Sequence, residues 1–112
     1  MSEEIKTELQ HLRNEFQSVM LLFDDFRRNV DEISRRYSQL KEQVKDRLKA
    51  LEKLEKAQKL TKDEEYFLLP AINEVFLSCN AKVGAKDRLK LSESIYDAKD
   101  YCSYWLSELD RS

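Results

Sequence analysis

One histidine and a few pairs of reactive or aromatic side chains are the residues of this sequence from which chemistry could be built. Glu8 and His11 form a Glu-x-x-His pair, the spacing with which diiron bundle proteins place two metal ligands on one helix face. A complete site of that kind needs several further inward carboxylates, and His11 is the only histidine. We therefore predict no metal site in one chain. A metal-binding helical bundle is the second alternative function, in which a dimer would supply the second histidine.

The two cysteines are the next candidates for chemistry. Cys79 and Cys102 both fall at apolar positions of predicted helices, where a cysteine is usually a small buried filler of low reactivity. No histidine lies near either of them in sequence, and the chain has no Gly-rich loop or paired-carboxylate motif. We predict that the protein is not an enzyme and has no catalytic residue and no cofactor.

Two tyrosines near the C-terminus could bind a partner. In a helix, Tyr101 and Tyr104 share a face with Asp97 and Glu108. Tyrosines in polar surroundings can anchor a protein partner, because the ring offers apolar area while the hydroxyl stays in water. We predict Tyr101 and Tyr104 as a partner-binding surface.

The composition indicates which elements position these side chains. The 112 residues include one Gly and one Pro, and 38% of them are charged. An all-β chain of this length would need many turns, and turns draw on Gly and Pro, so the composition predicts an all-α protein with short connections. The charges of both signs are interleaved and sum to −2, so neither a general polyanion-binding surface nor an acidic tail is indicated.

An apolar seam runs along the N-terminal half of the chain. Its steps alternate between four and three residues, which is the period of one apolar stripe on a supercoiling α-helix. The seam consists of Ile5, Leu9, Leu12, Phe16, Val19, Phe23, Phe26, Val30, Ile33, Tyr37, Leu40 and Val44. Arg47 is the one residue that interrupts its continuation before Gln58. We predict a long coiled-coil-like N-terminal helix.

Few signals end a helix in this chain, and they divide it into one long helix and a helical hairpin. Thr61 followed by Glu64 has the spacing of a capping box, which starts a second helix. Pro70 is predicted to kink that helix, or to open it after a separate turn, and Gly84 to end it. The predicted single domain, 1–112, contains helix 1 at about 3–60, helix 2 at about 62–83 and helix 3 at about 86–110.

Helices 2 and 3 are too short to cover all of such a long helix. Folded back as a hairpin, they leave the widest apolar surface, Val19 to Phe26, exposed. We predict that a second copy covers it, so that dimerisation completes the bundle. The predicted interface consists of Leu9, Leu12, Phe16, Val19, Leu22, Phe23, Phe26, Val30, Ile33 and Tyr37. The alternative is a monomeric four-helix bundle in which helix 1 breaks near Asn29.

These features predict a non-enzymatic helical interaction protein, a homo-oligomeric scaffold, adaptor or small regulator. Its expected partners are a second copy of itself and another protein. The first alternative is a nucleic-acid-associated regulator that uses residues 41–62, which carry eight basic and four acidic residues but no aromatic residue for base stacking. Without a signal peptide, an apolar span or a disulfide framework, we expect a soluble protein of a reducing compartment, the cytoplasm.

Overall fold

The N-terminal helical stretch folds back on itself close to its middle. The structure, a computed structural model, describes residues 2–81 and 88–111. From residue 2 to residue 56 every residue is α-helical or 3-10-helical, as the unbroken seam predicts, and two further helices pack back against this stretch. The helices are α1 (Ser2–Leu21), a 3-10 turn (Leu22–Asp25), α2 (Phe26–Lys56), α3 (Leu69–Ser78) and α4 (Arg88–Arg111).

Contacts between α1 and α2 show that the two helices are antiparallel. The Arg47 guanidinium donates from Nε and Nη2 to the Glu8 carboxylate at 2.9 and 3.1 Å, although 39 positions separate the two residues. In a straight helix they would lie roughly 58 Å apart, at ~1.5 Å per residue. Nearer the turn, Arg36 donates to the Ser18 hydroxyl. The longest dimension of the molecule is 46 Å, whereas an unbroken helix 1 would be about 85 Å long.

Asp25 is the residue at which the helix changes direction. Its backbone dihedrals are φ −134° and ψ 72°, whereas Leu21 and Phe26 on either side of the turn keep right-handed helical values. The Asn29 side-chain amide donates to the Leu22 carbonyl oxygen at 3.2 Å. This bond satisfies one of the backbone acceptors that a helix end leaves free. The break therefore precedes Asn29, which lies inside α2 and closes the turn with its side chain.

The last helix closes the bundle against α1. Arg88, at the start of α4, donates to the Phe23 carbonyl oxygen at 3.3 Å. At the other end of the pair, Lys6 Nζ lies 3.5 Å from a carboxylate oxygen of Asp110. The two helices are therefore antiparallel, and the four α-helices of the described residues enclose the core.

The predicted dimer interface is mostly the inside of this bundle. Six of its residues are buried within one chain and three are half-buried against the same core. The buried residues are Leu9, Leu12, Phe16, Val19, Ile33 and Tyr37, and the half-buried ones are Leu22, Phe23 and Phe26. Val30 is exposed, at 36%. Helices of the same chain thus cover most of the seam, as in the alternative of a monomeric bundle, and dimerisation stays a prediction.

Helix α2 ends at Lys56, before the predicted bound near residue 60, in a Schellman motif without glycine. Gln58 adopts φ 57°, and its N–H donates to the Glu55 carbonyl at 3.0 Å, while the Lys59 N–H donates to the Leu54 carbonyl at 2.9 Å. These are the two bonds of the motif, in which the left-handed residue is usually Gly. A glutamine there gave no sequence signal for the end of the helix.

Replacing Gln58 by glycine is therefore expected to raise the free energy of unfolding by about 1 kcal/mol. The left-handed conformation costs a residue with a Cβ roughly 1–2 kcal/mol, and glycine does not incur this cost. Chemical unfolding followed by circular dichroism would measure the change. Gln58→Ala is the matched control, because alanine keeps the Cβ. An equal gain from both substitutions would contradict the explanation.

The second helix begins with the predicted capping box. The Thr61 N–H donates to the Glu64 carboxylate at 3.0 Å, and the Glu64 N–H donates to the Thr61 hydroxyl at 3.1 Å. A π-helical turn, Glu64–Leu68, follows, and Pro70 then stands in the first turn of α3. The wider turn fits the missing N–H and the bulk of the proline ring. Helix α3 ends at Ser78, and the predicted bounds at 83 and 86, with Gly84, lie outside the described residues.

The Glu8–Arg47 ion pair explains why the apolar seam is interrupted at Arg47. Both side chains are about one-third exposed, at 33% and 37%. At this edge of the core the guanidinium keeps contact with water while it binds both carboxylate oxygens. Bidentate pairs of this kind add geometric specificity to charge attraction. Arg47 therefore specifies the register of α1 against α2.

A double-mutant cycle of Glu8→Ala and Arg47→Ala is expected to give a coupling energy of about 1 kcal/mol. This is the upper part of the range for partly exposed pairs, because the geometry is bidentate while solvent still screens the charges. Urea unfolding of the four proteins would give the number. The cycle of Glu108→Ala and Arg111→Ala, a pair three residues apart within α4 at 3.6 Å whose guanidinium is 78% exposed, is the control and should stay near zero. Equal couplings in the two cycles would contradict a special role for the interhelical pair.

Candidate partner-binding groove

A groove between α3 and α4 is lined by carboxylates and tyrosines. Asp97, Asp100, Tyr101 and Tyr104 lie on one face of α4, and Glu74 comes from α3. The groove has a volume of about 450 Å³ and is open to solvent. Tyr101 is 40% exposed and Tyr104 is 53% exposed, so both rings present apolar surface to water. The site therefore combines aromatic faces with three negative charges.

Trp105, which does not itself line the groove, contacts two of the residues that do. Its indole Nε1 donates to a carboxylate oxygen of Glu74 at 2.7 Å. Its ring meets the Tyr104 ring edge-on, with 5.3 Å between centroids and an interplanar angle of 85°. This is a favourable arrangement for aromatic pairs. Glu74 and Tyr104 are therefore held in place before any partner binds.

Lys99 stands beside the groove and contacts one of its residues. Its Nζ lies 5.1 Å above the Tyr96 ring, outside the lining residues, and 4.0 Å from a carboxylate of Asp100. At that distance the attraction is weak, because Asp100 is exposed and solvent screens the pair. The residues that line the groove include no basic side chain.

The structure brings the two predicted partner-surface tyrosines together and adds neighbours that the prediction lacked. Tyr101 and Tyr104 both line the groove, with Asp97 as expected. Asp100 was accessible to sequence reasoning, since it is three residues from Asp97 and lies on the same helix face. Glu74 was not, because no local pattern relates a residue of α3 to one of α4.

A buried polar contact joins α2 to the end of α3. The Tyr37 hydroxyl donates to the Ala81 carbonyl and accepts from the Ala81 N–H, both at 3.1 Å. Nearby, the Ser94 hydroxyl donates to the Asn80 side-chain oxygen at 2.9 Å. Burial raises the pKa of Tyr37 to about 12, with Cys79 adding to the effect. Within one chain, the hydroxyl of Tyr37, a predicted interface residue, binds the backbone that follows α3.

The two cysteines lie in this same buried region as free thiols. Cys79 and Cys102 are both buried, and burial raises the pKa of each thiol to about 12. Cys79 further raises the pKa of Cys102, so the two side chains are close enough to interact electrostatically. Because the thiolate is the reactive form, these cysteines act as apolar filling rather than as nucleophiles at neutral pH.

The Glu-x-x-His pair is not assembled into a ligand cluster. The Glu8 carboxylate is bound by Arg47, and the exposed His11 side chain lies 3.9 Å from a carboxylate oxygen of Glu15. Across residues 2–81 and 88–111 no group of three potential His, Cys, Asp or Glu ligands converges.

The basic stretch 41–62 lies mainly along the outer side of α2. Its exposed lysines are Lys49, Lys53, Lys56, Lys59 and Lys62, and the exposed acidic residues Glu42, Asp46, Glu52 and Glu55 are mixed with them. Arg47 is the member of this stretch whose ion pair joins α2 to another helix, and its partner is on α1. The exposed lysines therefore form a mixed-charge surface along α2 and the segment that follows it.

Within the described parts of the chain, no helix is both long enough and apolar enough to cross a bilayer. Comparison of the chain with models of protein families, with curated proteins and with solved structures gives no match.

Proposed function

We propose that this protein is a non-enzymatic helical interaction module, an adaptor or small regulator, and that the α3–α4 groove docks a protein segment that carries arginine. The observation that carries the proposal is the exposure of Tyr101 and Tyr104 beside three carboxylates. The two buried free thiols support residence in a reducing compartment such as the cytoplasm.

The tyrosine rings account for the affinity expected of such a site. Tyrosine is enriched among the residues that dominate protein interfaces, because it buries a large, rigid apolar area while its hydroxyl keeps a polar partner. Tyr104 is already ordered by its edge-on contact with Trp105. The Tyr104 side chain therefore loses less conformational entropy when a partner binds than a mobile side chain would.

The carboxylates account for the chemistry of the partner. A guanidinium is planar, stays charged, stacks on aromatic faces and binds carboxylates through two parallel hydrogen bonds. Asp97 and Asp100 lie beside the exposed Tyr101 face. An arginine side chain can thus stack on a tyrosine and pair with a carboxylate at the same time. A lysine offers the charge but not the planar stacking surface.

Trp105 provides a direct measurement, since it is the one tryptophan in the chain and contacts two groove residues. We expect its fluorescence to change on titration with an oligoarginine peptide at low salt. An oligolysine of equal length should bind more weakly, and an oligoglutamate should not bind. Equal affinity for oligoarginine and oligolysine would contradict the stacking argument, and no binding of either would contradict the proposed groove.

Substitution of both tyrosines separates this site from other acidic surfaces. Tyr101→Ala with Tyr104→Ala is expected to weaken oligoarginine binding at least tenfold, the loss of roughly 1.4 kcal/mol or more. Tyr66→Ala is the matched control, because Tyr66 is 63% exposed on the π-helical turn and does not line the groove. Circular dichroism would verify that both variants stay folded. Unchanged binding by the double variant would refute the site.

The same titration distinguishes the nucleic-acid alternative. A fluorescent duplex DNA or single-stranded RNA that bound with a steep salt dependence, and lost affinity when Lys49, Lys53 and Lys56 were replaced by glutamine, would favour a function based on residues 41–62. Under the proposed function these ligands bind weakly and leave the fluorescence of Trp105 unchanged.

A further inference from the structure

Among the described residues, the turn between α1 and α2 carries fewer local sequence signals for ending a helix than the turn that follows α2. A single residue, Asp25, leaves helical geometry, and its side chain makes no capping hydrogen bond. The turn, Leu22–Asp25, contains neither Gly nor Pro. By contrast, the end of α2 carries a complete Schellman motif and the start of the next helix a capping box. The local sequence therefore allows residues 21–26 to continue as α-helix.

The apolar seam passes through this turn without a skipped residue, and the hairpin does not bury it fully there. Val30 is 36% exposed, and Phe23 and Phe26 are half-buried. In a straight α1–α2 helix these residues would lie on one stripe with the rest of the seam. The backbone bonds broken at the turn would also be restored as i to i−4 bonds.

We infer that two copies of this chain exchange α1 by straightening Leu22–Asp25, which gives a domain-swapped dimer. In that dimer α1 of one copy packs on α2, α3 and α4 of the other. The Glu8–Arg47 ion pair and the Ser18–Arg36 hydrogen bond form between chains instead of within one. The partner is thus a second copy, and its binding surface is the core that α1 occupies in the single chain.

The equilibrium between the single-chain hairpin and the swapped dimer depends on a few interactions near the turn, because most contacts are common to both forms. The hairpin is favoured by the Asn29 side-chain bond to the Leu22 carbonyl, by the contacts of Arg88 with the Phe23 carbonyl and the Phe26 ring, and by the entropy of staying a single chain. The swapped dimer is favoured by the restored helical bonds and by burial of the seam around Val30 and Phe26. Exchange requires α1 to detach, so the dimer forms slowly from folded protein and readily during refolding at high concentration.

Asp25 offers a matched pair of substitutions, since both remove the same exposed ion pair with Arg28. Asp25→Ala strengthens the straight helix and should raise the dimer fraction, measured by light scattering after refolding at high concentration. Asp25→Gly weakens the straight helix and should lower it. Small-angle scattering of the dimer should show a longest dimension about twice the 46 Å of one chain.

Crosslinking decides whether the dimer is swapped. A Glu8→Cys variant and an Arg47→Cys variant would be mixed, unfolded, refolded together and treated with a short bismaleimide. A swapped dimer yields a covalent heterodimer joined through positions 8 and 47, identified by peptide mass spectrometry. Glu52→Cys, on an exposed part of α2, replaces Arg47→Cys in the control and should give little product. A dimer without the 8–47 crosslink, or a single-chain mass at every concentration for wild type and Asp25→Ala, would overturn the inference.

Discussion

Replacing Tyr37 by phenylalanine is expected to lower the free energy of unfolding by about 2 kcal/mol. The ring stays in place, so packing is nearly unchanged. The lost hydroxyl leaves both the N–H and the carbonyl of Ala81 without the partner that each has at 3.1 Å. A buried polar group that loses its hydrogen bond costs roughly 1–3 kcal/mol. Urea unfolding followed by far-UV circular dichroism would measure the loss.

Tyr66→Phe is the matched control for this substitution, because Tyr66 is exposed and has no buried backbone partner. Its effect should stay within about 0.5 kcal/mol, as for ordinary surface changes. Amide hydrogen exchange adds a local readout, since the Ala81 N–H should exchange faster in Tyr37→Phe. A loss below 0.5 kcal/mol with unchanged exchange at Ala81 would show that the hydroxyl does not hold this segment.

The second large effect is expected in alkali, where the protein should lose stability steeply as the pH approaches 12. Burial raises the pKa of Tyr37 from 10.0 to about 12, and those of Cys79 and Cys102 from 9.0 to about 12. Each folded pKa lies above its unfolded value, so the stabilisation is complete below pH 9 and is lost as the pH rises through the folded values. Between pH 10 and 12 the folded state still holds three protons, one on each of these side chains, that the unfolded state has released.

The coupling between proton binding and folding gives the size of the expected loss of stability with pH. Three retained protons correspond to a slope of about −4 kcal/mol per pH unit between pH 10 and 12, at roughly 1.4 kcal/mol for each proton. Most domains have only about 5–15 kcal/mol of stability, so unfolding should occur within this window. Urea unfolding at several pH values from 7 to 12, or to the pH at which the protein unfolds without urea, would measure the slope.

Cys102→Ala removes one of the three titrating groups and should reduce the slope by about one-third. Val75→Ala is the control, because it removes part of a fully buried side chain without removing a proton. It should lower stability at all pH values and leave the slope unchanged. A slope that is the same in wild type and Cys102→Ala would contradict a contribution from the buried thiol.

Helical structure was predictable because its causes are local in this chain. The near absence of Gly and Pro and the four-three spacing of apolar residues act over one or two turns, and residues 2–56 are helical throughout. The capping box of Thr61 and Glu64 was predictable for the same reason, since it depends on two residues three positions apart. Tyr101 and Tyr104 share a surface because helix periodicity places them on one face.

The path of the chain was not predictable from those local signals. The seam indicates that a stripe is buried, but a stripe can be covered equally well by the same chain or by another. The reversal at Leu22–Asp25 depends on the Asn29 side chain, on Arg88 from α4 and on the packing of two further helices. Those contacts join distant positions and have no periodic signature.

The sequence by itself therefore determined the helices, their apolar faces and the two tyrosines on an outer surface. Only the tertiary structure decided that α1 and α2 form a hairpin, that Arg47 binds Glu8, and that the Tyr37 hydroxyl binds the Ala81 backbone. Local hydrogen bonding and helix periodicity suffice to specify the helices and their faces. The interhelical contacts join pairs of residues 39 and 44 positions apart, which come close only after the helices have packed.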